Sequence, residues 1–260
     1  MATCLMGVSG CCGRRISDCP GQVRPILAEQ LPFWLPVASN PSTSRVLRTP
    51  WGDLSPRVDL FPLVYILILY GVVYFLPFGV FDFWRKGEDG LAEWIQFAGY
   101  FGAACFASLV LVKTWSSRRS VQWVCWLLMA LFCFYVAGEE ISWAERITGY
   151  GVIALRESNA QGETNFHNHE IVQGFLHFSF IASGLFFGWF GWRFWPAIRA
   201  FPTRDLSLYF LFVALFYAYW DLSWMTLGER IRNDQEAIEI LMSTGLFLHC
   251  FRSARGVASK

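Results

Sequence analysis

Six apolar runs, separated by charged segments, constrain the fold of this chain more than any other feature of its sequence. About twenty apolar residues can cross a hydrocarbon core of ~30 Å as a helix, because a helix rises ~1.5 Å per residue. The sequence therefore predicts an all-α fold, a polytopic transmembrane helix bundle of six spans. The runs lie between Asp59 and Asp82, between Glu93 and Lys113, from Ser120 to Gly138, between Glu170 and Arg193, after Asp205, and between Glu239 and Arg252.

Composition favours a membrane protein over a water-soluble one. Charged residues make up 16% of the chain, whereas a soluble domain carries about a quarter. Aromatic residues reach 18%, which is typical of lipid-facing surfaces and interfacial belts. The net charge of +1 gives no case for a nucleic-acid partner. Membrane lipids are the predicted partner, and a homo-oligomer is left open.

The chain divides into three predicted regions. Residues 1–58 are rich in Gly, Pro, Ser and Arg and show no sustained apolar period, which predicts a flexible, disordered leader. Residues 59–252 form the six-helix transmembrane domain. Residues 253–260 are a short basic cytoplasmic tail.

Basic residues predict the orientation of the bundle. They concentrate before the first run and after the second, fourth and sixth runs, which six crossings place on one side. The positive-inside rule makes that side, with both termini, cytoplasmic. The residues that carry this assignment are Arg45, Arg48, Arg57, Lys113, Arg118, Arg119, Arg193, Arg199, Arg204, Arg252, Arg255 and Lys260.

Three acidic residues are predicted to lie at membrane depth. The fifth run is too short to cross unless its helix continues through Asp221, and the sixth must start early enough to include Glu236 and Glu239. Carboxylates at such depth cost several kcal/mol unless they are paired or hydrated, and they commonly mark functional sites. Two alternatives stay open, namely a re-entrant or interfacial sixth helix, and pairing with Arg230 and Arg232 at the headgroup level.

Two polar patterns lie between the third and fourth runs. Glu139, Ser142, Trp143 and Arg146 are spaced as one face of a continuing helix. Polar side chains then occupy alternate positions from 159 to 169, which an extended segment would place on one side. The alternative for the first pattern is a helix end with an interfacial tryptophan, and the alternative for the second is a solvated loop. The alternating residues are Asn159, Gln161, Glu163, Asn165, His167 and His169.

The segments AGEEISWAERITGY at 137–150 and NAQGETNFHNH at 159–169 resemble a family of bacterial integral-membrane proteins. That family carries an EEISW-G-Q-R-I segment and a downstream N-x-Q-x-E-x-N-L-H-N segment, and has no established activity. The resemblance implies a bacterial inner (plasma) membrane location. Here Ala144 and Glu145 replace the expected Gly-Gln, and Phe166 replaces Leu. The residues that the resemblance implicates are Glu139, Glu140, Ser142, Trp143, Arg146, Asn159, Gln161, Glu163, Asn165, His167 and Asn168.

One functional hypothesis is a membrane-embedded hydrolase or transferase that uses a divalent metal and acts on a lipid or lipid-linked substrate. Carboxylates and neutral imidazoles can bind a metal that activates water. The predicted metal ligands are Glu140, Glu163, His167 and His169. The predicted catalytic residues are Glu139, Arg146, Asp221 and Glu239. The predicted substrate-binding residues are Ser142, Trp143, Asn159, Gln161 and Asn165.

Two other functional hypotheses remain. An ion-coupled transporter or channel would use Asp221, Glu236 and Glu239 as an intramembrane relay. A membrane sensor or assembly factor would need only the charge of the acidic residues, most of which this topology places on the outer side, to bind a partner.

Overall fold

The computed structural model describes residues 47–49, 52–54, 59–71, 90–159, 162, 164–167, 169–222 and 235–258. All of these belong to one compact unit, Ser44–Lys260. Among the residues named in the predictions above, Gln161, Glu163, Asn168, Arg230 and Arg232 lie outside the described residues, as does most of the predicted leader.

The described part is helical apart from one small hairpin. Strands β1 (Leu47–Thr49) and β2 (Gly52–Leu54) pair antiparallel, with Arg48 opposite Asp53. The helices are α1 (Phe61–Gly71), α2 (Leu91–Lys113), α3 (Val121–Glu140), α4 (Glu145–Thr148), α5 (Ile153–Glu157), α6 (Glu170–Leu185), α7 (Gly191–Phe194), α8 (Ser207–Leu222) and α9 (Gln235–Ala258). A π-helical turn, Phe186–Phe190, joins α6 to α7, and 3-10 turns lie at Trp115–Ser117, Ser142–Ala144 and Arg204–Leu206.

A tight hairpin connects α2 and α3. The Ser120 side chain caps α3 by accepting from the Trp123 backbone N–H at 3.2 Å. The Trp123 indole donates to the Leu111 carbonyl at 3.2 Å, which ties the start of α3 to the end of α2. The two helices are therefore antiparallel.

Helix α9 packs deeply against α2 and α8 because small residues line its contacts. A Cβ on Gly99 would lie 2.9 Å from Ser243, and one on Gly245 would lie 2.8 Å from Tyr209. On α6, a Cβ on Gly184 would lie 2.7 Å from the Phe210 carbonyl of α8. Close approach at small residues is how helices associate in lipid, where apolar burial between helices gives little drive.

The bundle has an acidic end and a basic end. At the acidic end, Gln96 at the start of α2 contacts Glu236 at the start of α9, so these helices run parallel. At the basic end, Arg252 of α9 forms an ion pair with Asp205, just before α8. Helix α8 therefore runs antiparallel to α9. Lys113 and Arg255 lie in the last turns of α2 and α9, which both end at the basic end, and Arg118 and Arg119 follow α2. The orientation of the bundle in a membrane stays a prediction.

Three helices of the described part are long and apolar enough to cross a membrane. They are Leu91–Lys113, Val121–Glu140 and Phe175–Phe194, with 23, 20 and 20 residues. Phe61–Gly71 is a shorter apolar helix. Large apolar side chains such as Val112, Leu128 and Leu215 are exposed on the outside of the bundle. These features fit an integral membrane protein; the number of crossings stays a prediction.

Candidate functional site

The end of α3 differs from the continuing helix that the sequence predicted. The helix stops at Glu140, and Ser142, Trp143 and Ala144 have positive φ values of 47°, 53° and 70°. Three consecutive left-handed residues that are not glycine break the helical register, so the predicted i, i+7 face was wrong. The conformation costs roughly 1–2 kcal/mol per residue. Neighbouring contacts must therefore hold it.

Glu139 provides the first of these contacts. Its Oε1 accepts from the Trp143 indole at 2.6 Å, and its Oε2 accepts from the backbone N–H groups of Phe166 and His167 at 2.7 and 2.9 Å. The Glu139 side chain is 5% exposed. One buried carboxylate thus fixes both the left-handed turn and the loop that follows. Gly138 makes room for this arrangement, because a Cβ there would lie 2.9 Å from the Trp143 ring.

Glu145 provides a second tie between the same two segments. Its Oε2 accepts from the Thr164 backbone N–H at 2.7 Å, and its Oε1 lies 3.3 Å from Arg156 Nε. The Thr164 hydroxyl accepts in turn from the Val152 N–H at 2.8 Å. The extra carboxylate that distinguishes this chain from the EEISW pattern therefore binds the loop.

Two asparagines close the loop on itself. The Asn159 side-chain amide donates to the Asn165 carbonyl at 2.9 Å and to its side-chain oxygen at 2.7 Å. The Asn165 amide donates to Ser142 Oγ at 3.2 Å. Asn159 also pairs with His169 as an isolated antiparallel bridge. With Gly162 at φ 72°, the described residues double back, so the predicted single extended segment was wrong.

Residues 141–169 are called the polar loop from here on. Several of the predicted site residues in this loop hydrogen-bond to other residues of the loop. Ser142, Asn159 and Asn165 are buried and bonded to one another. His167 differs from them, because its side chain is 30% exposed and its Nδ1 lies 3.4 Å from Glu139 Oε2. A carboxylate at Nδ1 orients an imidazole ring, which is a common arrangement in acid–base catalysis.

Of the four predicted metal ligands, Glu140, His167 and His169 are described, whereas Glu163 lies outside the described residues, so the predicted metal centre stays a prediction. No group of three His, Cys, Asp or Glu residues with suitable geometry occurs among the described residues. Glu140 ends α3, His167 contacts Glu139, and His169 precedes α6. Arg146 lies in α4 and Asp221 in α8.

A second polar group lies inside the bundle at its acidic end. We call Gln96, Tyr100, Tyr217, Glu236 and Glu239 the acid–tyrosine cluster. The Tyr217 hydroxyl donates to Glu239 Oε1. The Gln96 side-chain amide donates to Glu236 Oε2 at 2.8 Å and to the Glu236 carbonyl at 3.1 Å. Helices α2, α8 and α9 thus bring these five side chains together at one end of the bundle.

Within the described part of the chain, the charges around the acid–tyrosine cluster are negative. Glu239 is 7% exposed, and the charged groups that act on it in the described part are the carboxylates of Glu236 and Glu93. The buried Tyr100 hydroxyl interacts electrostatically with three carboxylates, those of Glu140, Glu239 and Glu236. Gln96 Oε1 is buried and has no hydrogen-bond partner among the described residues. The cluster is therefore rich in oxygen acceptors.

No family model, curated protein or solved structure matches this chain. The resemblance to the EEISW membrane proteins therefore stays a prediction.

Sequence reasoning did not single out Gln96, Tyr100 or Tyr217. One signal was present, since Gln96 is the only amide side chain in the second apolar run, between Glu93 and Lys113. A lone amide in a membrane span commonly hydrogen-bonds to a neighbouring helix. Which helix it meets depends on the fold, and α9 lies 140 residues away along the chain.

Proposed function

We propose that this chain is a six-span integral membrane protein that binds and releases protons or small cations at its acid–tyrosine cluster, as part of an ion-coupled transporter or channel. The observation that carries the proposal is the buried Glu239 carboxylate. It lies near the Glu236 carboxylate and accepts a hydrogen bond from the Tyr217 hydroxyl. Buried ionisable groups of this kind mark proton and ion pathways in membrane proteins.

Elementary electrostatics supports the binding of a positive species. Two neighbouring carboxylates repel each other, and burial strengthens that repulsion because little water screens it. Uptake of a proton or a cation relieves it. The buried Gln96 Oε1 supplies a further acceptor beside Glu236. A site with several oxygen acceptors can bind a hydrated proton or a small cation, which a dry apolar site cannot.

The membrane topology belongs to the same proposal. We infer that the helices cross alternately between the two ends, and that α1, α2, α3, α6 with α7, α8 and α9 are the six spans. The basic end then faces the cytoplasm with both termini. A bacterial inner membrane is the proposed location. Membrane lipids and a second copy of the chain are the proposed partners.

Reconstitution into proteoliposomes tests the proposal. A pH-sensitive dye inside the vesicles reports proton flux, and replacing the external salt distinguishes protons from sodium or potassium. Glu239→Gln keeps the shape of the side chain but removes its charge, so we expect flux to fall to the level of empty vesicles. The matched control is Glu157→Gln, which changes an exposed carboxylate of α5 and should keep wild-type flux. Wild-type flux in Glu239→Gln would refute the proposal.

A second candidate is acid–base catalysis on a lipid or lipid-linked substrate at the acidic end. The Glu139–His167 contact of 3.4 Å favours it, because the carboxylate can orient the imidazole as a general base. His167→Gln should then abolish lipid turnover, while Glu157→Gln, the exposed control used above, should preserve it. Stoichiometric metal that is lost in His167→Ala would support the metal-dependent form of this candidate. Absence of both flux and turnover in protein that still binds a partner would instead support a sensor or assembly factor.

A further inference from the structure

Large apolar side chains are exposed on the polar loop. We call the set Trp143, Ile147, Tyr150, Val152, Ile153 and Phe166 the apolar patch. Tyr150 is 87% exposed and Ile153 is 72% exposed. In water, such a concentration of aromatic and branched side chains in about two dozen residues would be unfavourable, because exposed apolar surface is costly to hydrate.

Burial in the polar loop is the reverse of what a solvated loop shows. Apart from Ile141 at the start of the loop, the buried residues in its described part are polar, namely Ser142, Asn159, Thr164 and Asn165. They are bonded to one another, to Glu145 or to the backbone. Polar groups turned inward and apolar groups turned outward are expected where the surroundings are lipid, because lipid cannot hydrogen-bond to an exposed polar group.

The apolar patch is continuous with the outer face of a candidate span. The Trp143 ring lies edge-on to Phe134 and Tyr135, with ring centroids 6.4 and 5.8 Å apart. Phe134, Tyr135 and Leu131 are exposed on α3, a helix long and apolar enough to cross a membrane. A surface that begins on the outside of α3 thus extends through Trp143 onto the loop.

We propose that the apolar patch lies in the headgroup–acyl boundary of the leaflet at the acidic end, so that the polar loop is an interfacial element rather than a loop in water. The occupant of this surface is lipid. The proposal depends on the membrane-spanning part of the proposed function and is independent of ion coupling. Trp and Tyr are the side chains enriched at this depth, and interfacial elements of this kind bury their apolar face by about 5–10 Å.

Charged residues of the loop fit the same placement. Arg156, Glu157 and Ser158 are exposed at the end of α5, and Arg156 also contacts Glu145 and the Gly162 carbonyl. Arg156 and Glu157 follow Ile153 at i+3 and i+4 and so lie on its side of this short helix. Long charged side chains at the headgroup level can keep their charged ends in water beside an apolar surface.

Fluorescence quenching by brominated lipids tests this placement on the full chain. A fluorescent amino acid is introduced by codon suppression at Ile153 or Tyr150 in the loop, at Ser158 as the polar control, or at Leu131 as the control within a span. The vesicles contain lipids brominated either near the headgroup or near the chain ends. We expect shallow bromines to quench Ile153 and Tyr150 more than deep ones do, and Ser158 to be quenched several-fold less.

The control positions separate the failure of this inference from that of the membrane proposal. If Leu131 is quenched but neither Ile153 nor Tyr150 is, the span is in lipid and the interfacial inference is overturned. If Leu131 is not quenched either, the membrane-spanning proposal fails as well. Energy transfer between labelled copies at Ile153, without lipid quenching, would show that a second copy of the chain covers the patch, and this also overturns the inference. Using two loop positions guards against one variant that fails to fold.

Discussion

Replacing Glu139 with glutamine should destabilise the polar loop. Glu139 accepts three hydrogen bonds, one through Oε1 and two through Oε2. Glutamine keeps one oxygen, which can still serve the Phe166 and His167 N–H groups. Its NH₂ group then faces the Trp143 indole N–H, and two donors cannot bond to each other.

The expected magnitude follows from these three bonds. Hydrogen bonds to a charged group contribute about 1.5–3 kcal/mol each, and neutral ones about 0.5–1.5 kcal/mol. Losing the indole bond costs about 2 kcal/mol and weakening the other two costs about 1 kcal/mol each. Removing a buried charge recovers part of this total. We therefore expect Glu139→Gln to lower the free energy of unfolding by about 2–3 kcal/mol.

Reversible unfolding in mixed micelles, followed as the denaturing detergent fraction rises, measures this difference. Glu157→Gln is the matched control, because Glu157 is exposed and its loss should change stability by less than about 0.5 kcal/mol. A loss below about 1 kcal/mol in Glu139→Gln would show that the three bonds do not hold the loop, and the reasoning would be wrong.

Two further predictions concern the backbone and the helix packing. Ala144→Gly should stabilise the protein by up to about 1 kcal/mol, since glycine adopts the left-handed conformation at φ 70° without penalty. The control Ala154→Gly, in the exposed helix α5, should destabilise the protein by about 0.5–1 kcal/mol. A change of the same sign for both variants in the micelle unfolding assay would contradict this prediction. Gly184→Ala should lower the free energy of unfolding by about 1–3 kcal/mol, because its Cβ would lie 2.7 Å from the Phe210 carbonyl. The control Gly256→Ala, where a Cβ meets nothing within 4 Å, should be neutral or stabilising. Equal melting temperatures for the two variants would contradict the close packing of α6 on α8.

The helical character of the chain was predictable because hydrophobic runs report helix length directly. The second and third runs, for example, correspond to α2 and α3 within a few residues. The burial of Glu239 also followed from length alone, since the sixth run is too short without it, and α9 does begin at Gln235.

The polar loop was not predictable to the same degree, because its conformation depends on tertiary contacts. Spacing placed Ser142 and Trp143 on a continuing helix, but the Glu139 carboxylate stabilises three left-handed residues there. Alternation suggested an extended segment at Asn159, whereas amide bonds to Asn165 turn the chain back. Helical and extended periods describe regular backbone, and neither describes a backbone shaped by side-chain acceptors. The residue types indicated that this segment is polar, but which side chains hydrogen-bond to one another could be seen only in the structure.

The two polar groups differ in how much of the chain each must wait for during synthesis. The bonds of Glu139 to Phe166 and His167 span 27 and 28 residues, so the loop can close once the start of α6 has emerged. The bond between Gln96 and Glu236 spans 140 residues, and it exists only after the last helix has inserted. A nascent chain that stops before α9 would have its loop in place but would leave Gln96 and Tyr217 facing no carboxylate from that helix. Completion of the acid–tyrosine cluster therefore coincides with completion of the bundle.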